Sequence, residues 1–290
     1  MKPPPFTVEH TSKSVLTLRF RIKAGWEQWF LLSADRHWDN PDTDQAMQRK
    51  HLEEAKARGA WVLDFGDFFC AMQGKYDKRA SKSHLRPEHQ KDNYLDSLVN
   101  TAAKWFKSDP LLLIADGNHE TAIRKNHETD LIERLHTSLV QGGNEYVHRG
   151  GFSGWVRFMF EGIGGGHRRT MRLAYHHGYG GDAPVTKGTI QTNRMAVYLP
   201  DADFVVTGHT HNQWWFPISR VRLSDSGKVF HDEQLHIKCP SYKDEYRDGE
   251  GGWNIERGAP PKPIGAFWLR LWCEAELNSY RIESEITRAR

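Results

Sequence analysis

Cysteine is scarce in this chain, and so is any excess of one charge. The three cysteines, Cys70, Cys239 and Cys273, are an odd number with no C-x-x-C spacing, which excludes a disulfide framework and a thiolate zinc site as organising devices. That usage fits a reducing cytoplasm. Forty Lys and Arg against 37 Asp and Glu leave a formal charge of +3, so bulk charge announces no nucleic-acid binder and only a local basic patch could make one. Long apolar runs are missing as well. Runs such as "LLLIA" (111–115) fall far short of the about 18 residues that cross a bilayer, and the opening "MKPPPF" holds no apolar signal core. The reading is a soluble, unexported protein with no membrane partner. No repeat or low-complexity linker divides residues 1–290, so one domain is expected, strand-rich from about residue 213.

What the chain does have is 38% hydrophobic residues, 11 tryptophans and 16 histidines. The first supports a sizeable core; the last makes the histidine positions worth tracing. Apolar runs bounded by turn residues predict strands near 15–22, 29–34, 61–65 and 111–115, with helices over 43–59 and 92–107 between them. That order favours right-handed crossovers and a largely parallel sheet in the first half. Beyond about residue 150 strands predominate, near 155–162, 170–176, 202–208, 214–223, 234–239 and 265–272, interrupted by one helix over 187–199. Two packed sheets with helices are predicted, an α/β chain.

Five of these strands end directly in ligand-type residues: "LLSADRHWD" (31–39), "VLDFGDFF" (62–69), "LLIADGNHE" (112–120), "LAYHHGYGG" (173–181) and "VVTGHTH" (205–211). In open α/β sheets the carboxyl ends of strands share one edge, where ligands collect. The inventory is Asp35, His37, Asp67, Asn118, His177 or His176, His209 and His211. Carboxylate, imidazole and amide oxygen together suit Mn, Fe, Zn, Ni or Co rather than a structural thiolate site. Period-two geometry lets Asp35 with His37, and His209 with His211, address one cavity.

In this order the motifs DxH, GD, GNHE, HG and GHTH resemble the calcineurin-like metallophosphoesterases over about residues 29–215. The resemblance implies a double β-sheet sandwich flanked by helices, the four-layer αββα arrangement. It implies two divalent metal ions, Mn first among the candidates. One would be held by Asp35, His37, Asp67 and His211. The other would be held by Asp67, Asn118, His177 and His209, with Asp67 bridging. The family pattern takes the histidine before glycine, His177, and leaves His176 either to support the ligands or to face substrate. His119 would be the catalytic histidine, with Asp67 also in the reaction. The resulting positive cavity suits a phosphate ester, attacked by a bridging hydroxide.

Motif two narrows the substrate. "GDFFCAM" places Cys70 where phosphoprotein phosphatases of the family carry Asp, and lacks their following Arg. In style the chain is similar to stand-alone bacterial and phage phosphodiesterases and DNA-repair-type exonucleases, which implies a phosphodiester substrate, DNA or nucleotide, and a cytoplasm that is the host's if the chain is phage-encoded. A phosphomonoesterase is the alternative, a non-catalytic metal-binding scaffold the third.

Arg36, His176, Lys75, Arg79 and Arg124 are candidate substrate contacts, the lysine and Arg79 belonging to a basic stretch at 74–91. Asp64 and Asp116 are expected to orient ligands or take backbone donors. Asp39, Asp42 and Asp44 read as the entry to a solvated helix, and Trp214 and Trp215 as sheet packing. The polar loop at 239–254, with Lys243 and Arg247, is read as either covering the site or fraying.

Overall fold

The computed structural model describes residues 2–72, 85–163, 168–181, 183, 185–246, 249–250, 253–256, 258–276 and 279–290. Among these, the strands form two sheets. One runs, in spatial order, β1 (Thr7–Ser12), β2 (Val15–Ile22), β7 (Ser153–Gly162), β8 (Arg168–His176), β9 (Phe204–Thr207), β11 (Val229–Lys238) and β10 (Trp214–Leu223). The other runs β13 (Ser279–Ala289), β12 (Ala266–Glu276), β3 (Glu27–Ser33), β4 (Trp61–Asp64), β5 (Leu111–Ile114) and β6 (His148–Arg149).

Residue pattern explains which strand goes where. In β2 the apolar Leu16, Leu18, Phe20 and Ile22 are buried while Arg19 and Arg21 face outward, the alternation of a sheet with one covered face. By contrast β3, β4 and β5 carry unbroken runs, Phe30-Leu31-Leu32, Trp61-Val62-Leu63 and Leu111-Leu112-Leu113-Ile114, all buried, because both their faces are covered. The largely parallel sheet expected in the first half is present as β3 to β6, but β2 does not belong to it. Only β3 to β6 pair in parallel there; β2 joins the other sheet, parallel to β7 with Val15 opposite Trp155.

The layers follow from three buried clusters. Between the sheets lie Leu18, Phe20, Phe158 and Phe160 from one side and Phe30, Leu63, Phe267 and Leu269 from the other. On the far side of the β3 sheet, Leu31 and Val62 pack under helices α1 (Gln45–Arg58), α2 (Tyr94–Phe106) and α4 (Leu131–Gln141), which contribute Leu52, Leu98 and Leu135. On the far side of the β7 sheet, Ala174 and Val205 lie under α5 (Thr189–Tyr198) through Met195. The architecture is therefore α/β, a double sheet flanked by helices, in four layers. Two further helices are α3 (Asn118–His127) and the short α6 (Trp253–Glu256). No helix among the described residues is long and apolar enough to cross a membrane. Cys70, Cys239 and Cys273 are buried and make no disulfide.

Candidate functional site

The carboxyl ends of β3, β4 and β5 meet those of β8 and β9 at one edge of the sandwich, and the five ligand-bearing loops arrive there together. Local pairing continues past the strands. The Asp35 amide donates to the Gly66 carbonyl (2.8 Å), His37 to Asp67 (3.0 Å) and Trp38 to Phe68 (2.9 Å), so the loops after β3 and β4 stay in register. From below, the Ser241 hydroxyl donates to the Asp35 carbonyl (2.8 Å) and the fully buried Tyr242 donates its amide to the same oxygen (3.2 Å). The 239–246 part of the late polar loop is thus a wall of the site; Arg247 lies outside the described residues.

Two glycines make the approach possible. A methyl at Gly117 would overlap the Asp67 backbone nitrogen and Oδ1, and one at Gly208 would lie 2.5 Å from Asp35 Oδ2. Neither position admits a side chain.

The expected donor atoms fall into two groups, and a third cluster among the described residues, His37, Cys70 and His119, shares His37 with the first. Asp35, His37 and His211 each bring one ligand atom within 4.8 Å of the others, and Asp67, His177 and His209 do the same. In the first group His37 Nε2 lies 3.3 Å from His211 Nε2, and His211 Nε2 lies 3.4 Å from Asp35 Oδ1. Asp35 Oδ1 and His37 Nδ1 are buried with no hydrogen-bond partner. In the second, His177 Nε2 lies 3.2 Å from Asp67 Oδ2, and Asn118 Oδ1 lies 3.0 Å from His177 Nε2 and 2.7 Å from His209 Nδ1. The Phe65 carbonyl accepts from His177 Nδ1 (3.0 Å), which turns the Nε2 lone pair to the cavity, the usual way an imidazole ligand is oriented. Two carboxylates, an amide oxygen and four imidazoles converging with a buried, unpartnered carboxylate oxygen fit a pair of divalent ions.

Electrostatics agree with that donor set. Burial, reinforced by His119, holds His37 well below the ordinary imidazole range, so it is neutral. Burial and His177 also lower His209. Burial alone would lower His177 and raise Asp67, but the two face each other: the carboxylate lifts His177 to about 10, and His177 with His119 holds Asp67 well below the carboxylate range. A proton and a cation compete for that one imidazole lone pair.

His119 stands beside both groups, its Nε2 3.6 Å from Asp67 Oδ2 and its backbone amide donating to Asp67 Oδ1 (2.9 Å). Its Nδ1 donates to the backbone carbonyl of Cys70. Glu120, next along and fully buried, accepts from the amides of Gly117 (2.8 Å), Phe69 (2.8 Å) and Asp67 (3.2 Å). Burial and the Asp67 charge push its carboxyl well above the usual range.

The candidate substrate contacts fare differently. Arg36 needs correcting: it has no exposed surface, donates to Asp64 Oδ2 (2.6 Å), Ser33 Oγ (2.9 Å) and Gln48 Oε1 (3.2 Å), and sits over the rings of Phe106 and Tyr242. It serves the interior beneath α1. Arg124 is held by Asp116 (2.8 Å) and Asp130 (2.7 Å). His176 lies at the rim against Phe152 and Tyr179, accepting from the Gly178 amide (2.9 Å). Lys75 and Arg79 lie outside the described residues. On the outermost strand β10, Trp214 stacks on Phe216, and Trp215, 39% exposed, lies edge-on to Phe267.

Asp39 also departs from expectation. Asp44 does cap α1, accepting from Met47 (2.8 Å), but Asp39 is 1% exposed and grips the amides of Cys70 (2.5 Å) and Ala71 (2.9 Å). Glu120 had a sequence signal, three residues after Gly117 at a helix start; Asp39 had none.

No family model matches the chain, and no curated protein matches it. Similar solved structures include zinc-complexed Vps29 from Entamoeba histolytica, at 9% identity and a TM-score of 0.34, covering 91% of this chain and 100% of that one. Others are vacuolar protein sorting 29 from Cryptosporidium parvum (14%, 0.34, 92% and 100%) and a conserved uncharacterised protein, a predicted phosphoesterase, from Streptococcus pneumoniae (9%, 0.31, 90% and 99%).

Proposed function

We propose that this chain is a metal-dependent phosphoesterase, and within that class a phosphodiesterase acting on DNA or a nucleotide diester with Mn²⁺ as the preferred ion. The observation that carries the reading is the pair of donor groups flanked by His119 at one strand edge. Asp35, His37, Asp67 and His211 would hold one ion, and Asp67, Asn118, His177 and His209 the other. Such a pair, when bound, supplies a water nucleophile at neutral pH and neutralises phosphate charge. The chain's own part is positional. The Asp67 carboxylate faces His177 while its backbone carbonyl accepts the His37 amide, and Asn118 Oδ1 stands within reach of both His177 Nε2 and His209 Nδ1. His119, with Nδ1–H engaged by a carbonyl, presents Nε2 to the cavity, where, once that nitrogen has taken up a proton to make the imidazolium, it can pass the proton to the departing oxygen.

What supports a diester over a monoester, among the described residues, is that Arg36 and Arg124, the arginines beside the motifs, are both committed to carboxylates. A phosphate dianion would call for a cationic clamp. The test is a Mn²⁺-supplemented panel of bis-p-nitrophenyl phosphate, p-nitrophenyl phosphate, single- and double-stranded DNA and cyclic nucleotides. Diester turnover that disappears in Asp67→Asn is the expected result. Faster monoester turnover would give the site to a phosphomonoesterase, and a protein that binds no Mn²⁺, Zn²⁺ or Ni²⁺ and stays inert would make it a scaffold.

A further inference from the structure

The Nδ1 of His119 meets the backbone carbonyl of Cys70, and a carbonyl needs something to aim it. The Cys70 carbonyl belongs to a short turn in which the next residue, Ala71, sits at φ 46°. A residue with a Cβ is strained there and persists only when its surroundings over-determine it. The over-determining group is Asp39. Its two carboxylate oxygens take separate donors, Oδ1 the Cys70 amide at 2.5 Å and Oδ2 the Ala71 amide at 2.9 Å. Two parallel bonds fix both peptide planes around Cys70, and with them the direction of its carbonyl. Asn40 adds to the grip, donating from its side chain to Cys70 Sγ at 3.2 Å.

We propose that Asp39 is a positioning residue for His119, acting through the Cys70 peptide. By holding the turn it keeps the Cys70 carbonyl on Nδ1, fixes the proton on that nitrogen and leaves Nε2 as the only ring atom facing the reacting phosphate. The inference deepens the phosphoesterase reading and rests on it for its catalytic consequence. It also accounts for Cys70 standing where the phosphoprotein phosphatases of the family carry Asp. The backbone oxygen does that work, and the thiol is not required for it.

The test uses ¹⁵N-histidine-labelled full-length protein. The His119 tautomer is read by two-bond ¹H–¹⁵N correlation, with assignment by loss of the signal in His119→Gln. Wild type and Cys70→Ala should both show the Nδ1–H form. Asp39→Asn, which keeps the volume but turns a second donor against one of the two amides, should show a tautomer mixture. Its kcat should fall by about 10²-fold, the scale of a misplaced catalytic group, with KM and bound Mn²⁺ unchanged. Ala71→Gly folds readily at this φ and loosens the same turn, so it should give a smaller fall in the same direction. An unchanged tautomer and kcat in Asp39→Asn overturn the proposal, as does a Cys70→Ala protein whose tautomer moves as far as that of Asp39→Asn. If wild type hydrolyses no phosphate ester, the phosphoesterase reading fails, and the tautomer comparison still decides whether Asp39 positions His119.

Discussion

A guanidinium with no exposed surface has to be answered by a carboxylate, and Arg36 is answered by Asp64 at 2.6 Å. Arg36→Met would strand a buried charge on Asp64 and cost about 3–5 kcal/mol, whereas pairing it with Asp64→Leu should recover most of that. Urea unfolding of the two proteins checks it. At the reaction centre, His119→Ala should lower kcat by about 10²–10⁴-fold while leaving Mn²⁺ binding intact, since His119 belongs to neither ligand set; stopped-assay rates beside metal analysis read both. For His177 the prediction concerns protons. Its imidazole, raised to about 10 by Asp67, must release one proton to bind a cation, so affinity at that group should rise about tenfold per pH unit between 6 and 9. Calorimetry in buffers of different ionisation enthalpy measures the proton. Of these residues, the convergence of the seven expected ligands at one edge was readable because strand-end His, Asp and Asn in five successive pieces need no knowledge of packing. Arg36 was misread because sequence gives its charge but not its burial, and Asp39 because a carboxylate that holds backbone looks the same as one that caps a helix.

At the scale of elements, a loop earns its shape from the two it touches. Gly117 is where the β5–α3 turn presses on Asp67, and Gly117→Ala should leave a folded β-rich protein that no longer retains Mn²⁺ through gel filtration, because the Asp67 peptide must move to admit the methyl. Glu120 joins the same two loops through three amides; replacing it by Ala would orphan them at about 1–3 kcal/mol each before relaxation. Strand periodicity put β2 and β10 at their observed bounds, Val15–Ile22 and Trp214–Leu223. Helices α3 and α4 were not readable in the same way. In α3 the residues are mostly polar, with Glu120 and Ile123 the buried ones, so it carries no apolar stripe. The buried Leu131, Ile132, Leu135 and Leu139 do make a stripe in α4, but it begins only four residues after α3 ends and is masked by the charged residues between. Strands β1 and β13 are largely exposed or mixed in burial, and β6 is two residues long, below what alternation can signal.

Across the molecule, buried histidines outside the site set the response to acid. His51, bonded to the Tyr242 hydroxyl at 2.9 Å, and His236, bonded to Gln234 at 2.8 Å, are buried, and burial lowers each to about 4. Unfolded, each takes a proton near 6.5; folded, each resists until about 4. Stability is therefore full above pH 6.5 and drains as pH falls toward 4, by on the order of 3 kcal/mol per residue at the limit. A Tm that drops steeply in this window, and less steeply in His236→Gln, is the expected outcome.

One backbone feature reaches further. Of the non-glycine residues at positive φ, Asp35, His37, Asp67, His209 and His211 are all expected ligands, at φ between 43° and 75°. Each is held in a conformation that glycine would occupy without strain. His211, partly exposed, is the cleanest case: His211→Gly should melt a few degrees above the metal-free parent while losing an ion. Heat-selected variants of this chain would then drift toward inert ones, and a screen for robustness alone would discard the chemistry first.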